Sequence, residues 1–298
     1  MAIARRGGIT TRQLTLDALV REYIEDGMTL YMAGFSHLIP FAAAHEIIRQ
    51  KKSHLTLCRA TPDLIYDQMI AAGVADRLVF SYAGNPGVGL LPAFRRAVEQ
   101  GDISLEEYTH FEMVARLEAG AAGLPFWPLK SPITDLVLRR PAATVTCPYT
   151  GAAVPTVPAL NPDVTWVHVQ AADSDGNLYV SGLVGEMKEA ALAAKTVVAT
   201  TESFYPADVL RTRRGELLLP GFRVSAVAHV PMGAHPSYAS GLYERDTRFY
   251  QQWTAIAKDA ERCQAWLEEW IYGTANHEQY LSKWGQEYLN RLVVGGML

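Results

Sequence analysis

The stretch Met28 to Gln50, MTLYMAGFSHLIPFAAAHEIIRQ, constrains the fold more than any other. An apolar run from Met28 to Ala33 stops at Gly34-Phe35-Ser36-His37 and resumes as an alanine-rich segment from about Pro40. So short an apolar run suits a strand, the segment after it suits a helix, and the break between them suits a tight loop. Strand, loop and helix in that order set the loop at the carboxyl end of a parallel strand, where open α/β sheets bind ligands. The loop lacks the GxGxxG spacing of dinucleotide folds, so its chemistry stays open at this point.

The same alternation continues along the chain. Leu16, Leu19, Val20, Tyr23 and Ile24 recur at helical spacing between a Thr15 cap and a Gly27 stop. Leu55–Cys58 and Leu78–Tyr82 read as strands, with Thr61 to Gly73 as the helix between them. A second glycine-rich loop, Ala83 to Gly89, follows at the same end of the sheet, then a helix to Gln100 stopped by Gly101. The region from Ser131 to Leu160 is rich in proline yet stays apolar, which suits loop and β-ribbon rather than a linker.

Val164 to Gln170, VTWVHVQ, is apolar on both faces and marks a central strand. Ser174 to Asn177 is a turn leading into Leu178–Val180. Lys188–Lys195 is read as helix, and Thr196–Thr200 and Arg223–Val230 as strands. Phe249, Trp253, Ile256, Ala260, Cys263, Leu267 and Trp270 share one face of a helix ended by Gly273, a packing stripe rather than a cofactor box. The expected fold is α/β: a doubly wound, mostly parallel sheet with flanking helices over about residues 12–230. A mainly helical C-terminal extension over 231–298 belongs to the same single domain.

Composition narrows the function. A net charge of −4 offers no basic footprint for nucleic acid or anionic lipid, and the Arg211, Arg213 and Arg214 cluster reads as a solvated turn. Three scattered cysteines, Cys58, Cys147 and Cys263, form no CxxC pair, so neither a metal knuckle nor a disulfide scaffold is expected. The amino terminus has no apolar leader core, and no apolar run of about eighteen residues occurs. These features imply a cytoplasmic protein without a membrane partner.

GxSxG, HExxH and P-loop motifs are all missing, which removes most motif-bearing enzymes. Three polar constellations remain. Ser36 and His37 sit in the opening loop, where the plain alternative is a capping serine and an exposed histidine. Glu106, Glu107, His110 and Glu112 have the spacing of a solvated helix face or of an acid/base group. Gly233-Ala234-His235-Pro236-Ser237, followed by Gly241-Leu242-Tyr243, looks like a shaped loop with a cis-capable His-Pro bond, and a purely structural role suits it as well.

Taken together, five segments resemble the α (or A) chain of two-chain family I CoA-transferases, on the glutaconate branch. They are 33–50, 103–131, 164–182, 231–246 and 270–285, and the pairing of the D-x-x-G-N turn (Asp173 to Asn177) with G-A-H-P-S is the most specific mark. The resemblance implies ping-pong covalent catalysis with coenzyme A as substrate and no tightly bound cofactor or metal. A glutamate attacks the acyl-CoA thioester, giving an acyl–glutamyl anhydride and CoA thiolate. The thiolate then forms a glutamyl-CoA thioester, and an acceptor carboxylate reverses the sequence.

In two-chain members that glutamate lies on the B subunit, so the resemblance implies a B-subunit partner in an αβ or α2β2 assembly. It assigns Gly34, Phe35, Ser36, His37, Ser81, Tyr82 and Asn85 to substrate binding, with His110 and Glu107 as candidate catalytic residues. Relatives on this scaffold that hydrolyse CoA esters or open carbon rings keep a carboxylate near Glu106–Glu112, where His110 stands in the centre here. The alternatives are a CoA-ester hydrolase and a non-catalytic subunit that binds an organic acid or CoA ester.

Overall fold

The computed structural model describes residues 11–85, 87–130, 143–212 and 216–294. The basic pair Arg213–Arg214 and the proline-rich stretch 131–142 lie outside them. Strand β1 (Arg12–Gln13) and helix α1 (Leu16–Tyr23) lead into β2 (Thr29–Met32), α2 (Phe41–Arg49), β3 (Leu55–Arg59), α3 (Leu64–Ala71) and β4 (Ala75–Phe80). Helix α4 (Pro92–Gln100) follows, with proline in its first turn and Gly101 in the left-handed region as its stop. Strand β5 (Ser104–Glu107) and helix α5 (His110–Ala121) complete the first half.

The middle forms a small antiparallel sheet in the order β6 (Phe126–Pro128), β8 (Ala153–Pro158), β7 (Thr144–Thr146). The second half supplies β9 (Val164–Asp173), β10 (Leu178–Val180), β11 (Thr196–Tyr205), β12 (Glu216–Leu219) and β13 (Ala226–His229). The main sheet runs β1-β13-β11-β9-β2-β3-β4-β5, every pairing on that path parallel, with β10 and β12 joining antiparallel at the end of β9. From β2 the chain winds to one side through β3, β4 and β5, and from β9 it winds to the other through β11 and β13. The order therefore reverses between β2 and β9, the switch point at which open α/β sheets leave a crevice outside the strand ends.

All ten residues of β9 are buried, as expected of a strand covered on both faces. Val164 and Trp166 enter one apolar cluster, Val167 and Val169 the other. The first cluster takes in α1, α2 and α3 together with Phe249, Trp253, Trp266, Leu267 and Tyr280 from the C-terminal helices. Those helices thus share the core of the sheet.

Two expectations change. Glu106 and Glu107 belong to an edge strand paired with Val79 and Phe80, and the helix begins only at His110. The single long C-terminal helix is two, Thr247–Ala257 and Ala260–Leu267, because the Asp259 side chain caps the second by accepting from the Arg262 N–H. An aspartate that satisfies an orphan N–H starts a new helix more cheaply than it continues an old one.

Candidate active site

The loop after β2 is held in a demanding conformation. Gly34 has φ +127, and a Cβ there would come within 2.9 Å of the Leu38 carbonyl oxygen. Ser36 and Leu38 are also left-handed, at φ +61 and +53. Such backbone costs about 1–3 kcal/mol per residue and persists only where neighbours impose it. Here Arg59 Nη2 donates to the Gly34 carbonyl at 2.6 Å, Ser237 Oγ donates to the Ser36 carbonyl at 3.1 Å, and the Leu38 N–H donates to the Tyr238 carbonyl at 2.9 Å. Arg59 is itself buried beside Asp63.

His37 lies inside this packing: it is buried, its ring stacks on Tyr238 at 5.1 Å, and its Nε2 donates to the Leu183 carbonyl. Burial lowers its pKa, against the opposing pull of that backbone bond, so the ring is held neutral. The exposed-histidine alternative therefore does not apply. Phe35 and Ser36 are half-buried. A Cβ at Gly185 would meet the Phe35 side chain at 2.6 Å, and one at Gly182 would meet the His37 ring at 3.0 Å, so residues 182–185 form a close cover over the loop.

The first and third polar constellations are thus one structure. The Gly233–Tyr243 segment, with a cis His235–Pro236 bond, lies against the opening loop. It is tied to the sheet through Glu202 of β11. That buried carboxylate accepts from His168 Nε2 at 2.7 Å, from the Tyr243 hydroxyl and from the Met232 N–H at 2.6 Å. Burial alone would raise the Glu202 pKa, but the His168, Tyr243 and Met232 donors outweigh it and hold the group below the ordinary carboxylate range.

The second constellation joins the second glycine-rich loop. His110, the first residue of α5, has Nδ1 3.0 Å from Ser81 Oγ and Nε2 3.0 Å from Thr61 Oγ1. These residues follow β5, β4 and β3, and backbone bonds brace them, because the Ala60 carbonyl accepts from both the Ser81 and Tyr82 N–H groups. Thr61 is a neighbour the sequence reading missed; only its place at the end of a strand could have marked it. Asn85 is buried, with no hydrogen-bond partner for its side-chain amide among the described residues, and Tyr82 is exposed.

The three glutamates of this region differ. Glu106 accepts from the Tyr108 hydroxyl and pairs with Arg77 and with Arg116, the last at 3.2 Å; burial would raise its pKa, but these partners bring it below the ordinary value. Glu112 completes a capping box with Thr109. Glu107 stands exposed on the edge strand. Among the described residues, no cluster of three or more His, Cys, Asp or Glu side chains is placed to hold a metal ion, and no helix is long and apolar enough to cross a membrane.

Comparison with known proteins decides the family. The coenzyme A transferase family model matches residues 13–229. The chain belongs to the coenzyme A transferase family. It is 46% identical to the A subunit of the 3-oxoadipate CoA-transferase of Pseudomonas knackmussii, over 91% of this chain and 97% of that protein. The crystal structure of glutaconate coenzyme A-transferase from Acidaminococcus fermentans superposes with a TM-score of 0.90 at 28% identity, covering 95% of this chain and 96% of that one. A more distant relative is the cholesterol ring-cleaving hydrolase IpdA subunit of Rhodococcus jostii, 27% identical over 90% of this chain and 94% of that protein. The family resemblance and the doubly wound parallel sheet expected from the sequence are both met, and the similarity is to transferase chains first and to the hydrolase second.

Proposed function

We propose that this chain is the A subunit of a heteromeric acyl-CoA:carboxylate CoA-transferase, acting in the cytoplasm with a B subunit that carries the nucleophilic glutamate. The observation that carries the reading is the 46% identity, nearly end to end, with a protein named as the corresponding chain of such an enzyme. In this assignment Gly34, Phe35, Ser36 and His37 form one wall of the acyl site and Ser81, Tyr82 and Asn85 another, with His110 and Glu107 at its edge. Coenzyme A enters as substrate.

Local chemistry supports a division of labour between two chains. His37 is neutral and buried, Glu106 is committed to two arginines, and Glu112 caps a helix, so none of these three is set up as a nucleophile. Around them Tyr82, Phe111 and Leu183 are exposed at 57%, 65% and 57%. Large apolar side chains left open beside strained loops suit a surface that another chain covers. The same commitments of Glu106 and Glu112 weigh against the hydrolase alternative, which calls for a catalytic carboxylate here; Glu107→Ala is the variant that tests it.

The experiment is to purify the chain alone and together with its B chain, then assay CoA exchange between an acyl-CoA and carboxylic acids. Transfer is expected from the pair only. Transfer by the isolated chain, or turnover with water and no acceptor acid, would overturn the reading.

A further inference from the structure

We infer that Thr61, Ser81 and His110 form the subsite that holds the second, non-reacting carboxylate of a dicarboxylic acid substrate; this rests on the transferase reading. The three side chains come from the carboxyl ends of adjacent parallel strands, β3, β4 and β5, and meet with both ring nitrogens 3.0 Å from a hydroxyl oxygen. Among the described residues neither hydroxyl has a second partner. The group is two hydroxyls, each able to donate as well as accept, with an imidazole between them.

A ring engaged on both nitrogens is badly placed to abstract a proton, because each nitrogen already faces a hydroxyl. It is well placed to orient the hydroxyls. In a neutral ring one N–H donates to one hydroxyl and the other nitrogen accepts from the second, leaving one O–H free to point outward. A carboxylate presents two acceptor oxygens: it takes that outward O–H and competes with the ring nitrogen for the other, since hydrogen bonds to a charged group are the stronger ones.

The setting also fits. The Ala60 carbonyl fixes the Ser81 and Tyr82 backbone, and the Pro62 carbonyl accepts from Gly84 at 3.0 Å, so the loops bearing Thr61 and Ser81 are clamped together before any ligand arrives. Tyr82 and Phe111, the neighbours of Ser81 and His110, stand exposed and supply apolar walls for the carbon chain between two carboxylates. An anion at this place has two sources, the acid and the phosphates of coenzyme A. The pair of hydroxyls about one ring favours the planar two-oxygen group of the acid.

The test uses the complex of this chain with its B subunit. Short dicarboxylic acids, with and without a 3-oxo group, are compared as acceptors with their monomethyl esters. The ratio of kcat/KM for diacid over half-ester is measured in wild type, Thr61→Val, Ser81→Ala and His110→Gln. The ratio is expected to favour the diacid in wild type and to fall about tenfold or more in each variant, as loss of a charged hydrogen bond implies. His110→Glu, which places like charge at the site, should reverse the preference.

A ratio that stays within twofold in all four variants overturns the subsite, even if absolute rates fall, because a merely structural role would slow both acceptors alike. If instead KM for acyl-CoA rises, and dephospho-CoA esters abolish that rise, the anion is a CoA phosphate and the assignment to the acid is overturned. No transfer by the wild-type complex to either acceptor refutes the transferase reading itself.

Discussion

Replacing Glu202 with glutamine removes one charge from the network that fastens the Gly233–Tyr243 segment to the sheet, and its cost can be worked out donor by donor. Oε1 accepts from His168 and Tyr243 while Oε2 accepts from the Met232 N–H. A glutamine carbonyl at the first position keeps two donors and turns an NH2 toward the Met232 N–H. Flipped, it keeps Met232 and sets the NH2 against Tyr243, whose hydroxyl already accepts from the Ala234 N–H at 3.1 Å.

Either way at least one buried donor loses its partner and the charge-assisted bonds become neutral, a loss of about 2–3 kcal/mol. With an unfolding entropy of about 0.6 kcal/mol/K for a chain of this length, the melting temperature of the purified chain should drop by about 3–5 °C. The folded-state pKa of Glu202 is lowered, so its contribution is fully present above the ordinary carboxylate range and disappears as pH falls through the folded value. The gap between wild type and Glu202→Gln should therefore be full at pH 7 and narrow as pH falls below the ordinary carboxylate range. Calorimetry across that range decides the matter. A gap under about 0.5 kcal/mol at pH 7, or one that widens toward acid, would refute the account of Glu202 as the fastening point.

Two further outcomes follow from buried ionisable groups. Arg59→Met strands the Asp63 carboxylate in the interior and frees the Gly34 carbonyl; chemical denaturation should show a loss of about 3–5 kcal/mol, and Arg59→Met with Asp63→Leu should recover much of it. His45, buried and bonded to Gln68 at 2.9 Å, is pushed down to about 3 mainly by burial, and His277 likewise to about 4. Both stay neutral when folded while the unfolded chain takes up protons below about pH 6.5, so stability should fall as pH drops from there toward 4. His45→Gln should flatten that slope by up to about 1.4 kcal/mol per pH unit, read from urea midpoints, and an unchanged slope would count against it.

The order of strands and helices was legible because burial on both faces leaves continuous apolar runs, as in Val164–Gln170, and because Gly101 stops its helix through a backbone conformation open to glycine. Ser104–Glu107 escaped notice for the opposite reason. An edge strand with little buried side chain has no apolar period to display, and its two glutamates imitated a helix surface. The break at Asp259 was hidden because the apolar stripe runs through it unbroken while a single cap redirects the backbone. For the site, the loops announced themselves by glycine and position. What stayed invisible was long-range: Arg59 on the Gly34 carbonyl, Thr61 beside His110, and the burial of His37 beneath residues 182–185, all of which depend on neighbours brought together only by the sheet.

The borders of the main sheet have a consequence for a chain whose relatives are named as subunits. Among the described residues one end of the strand path is β1, two residues long, and the other is β5, where Ser104, Glu106 and Glu107 interrupt the apolar character and Glu106 is bound to Arg77 and Arg116. A row of open backbone groups invites a second copy to add its own strand, and long apolar edges are where such zipping begins. Short and charged borders discourage it. On a chain without a partner, borders of this kind work against pairing with another copy of itself.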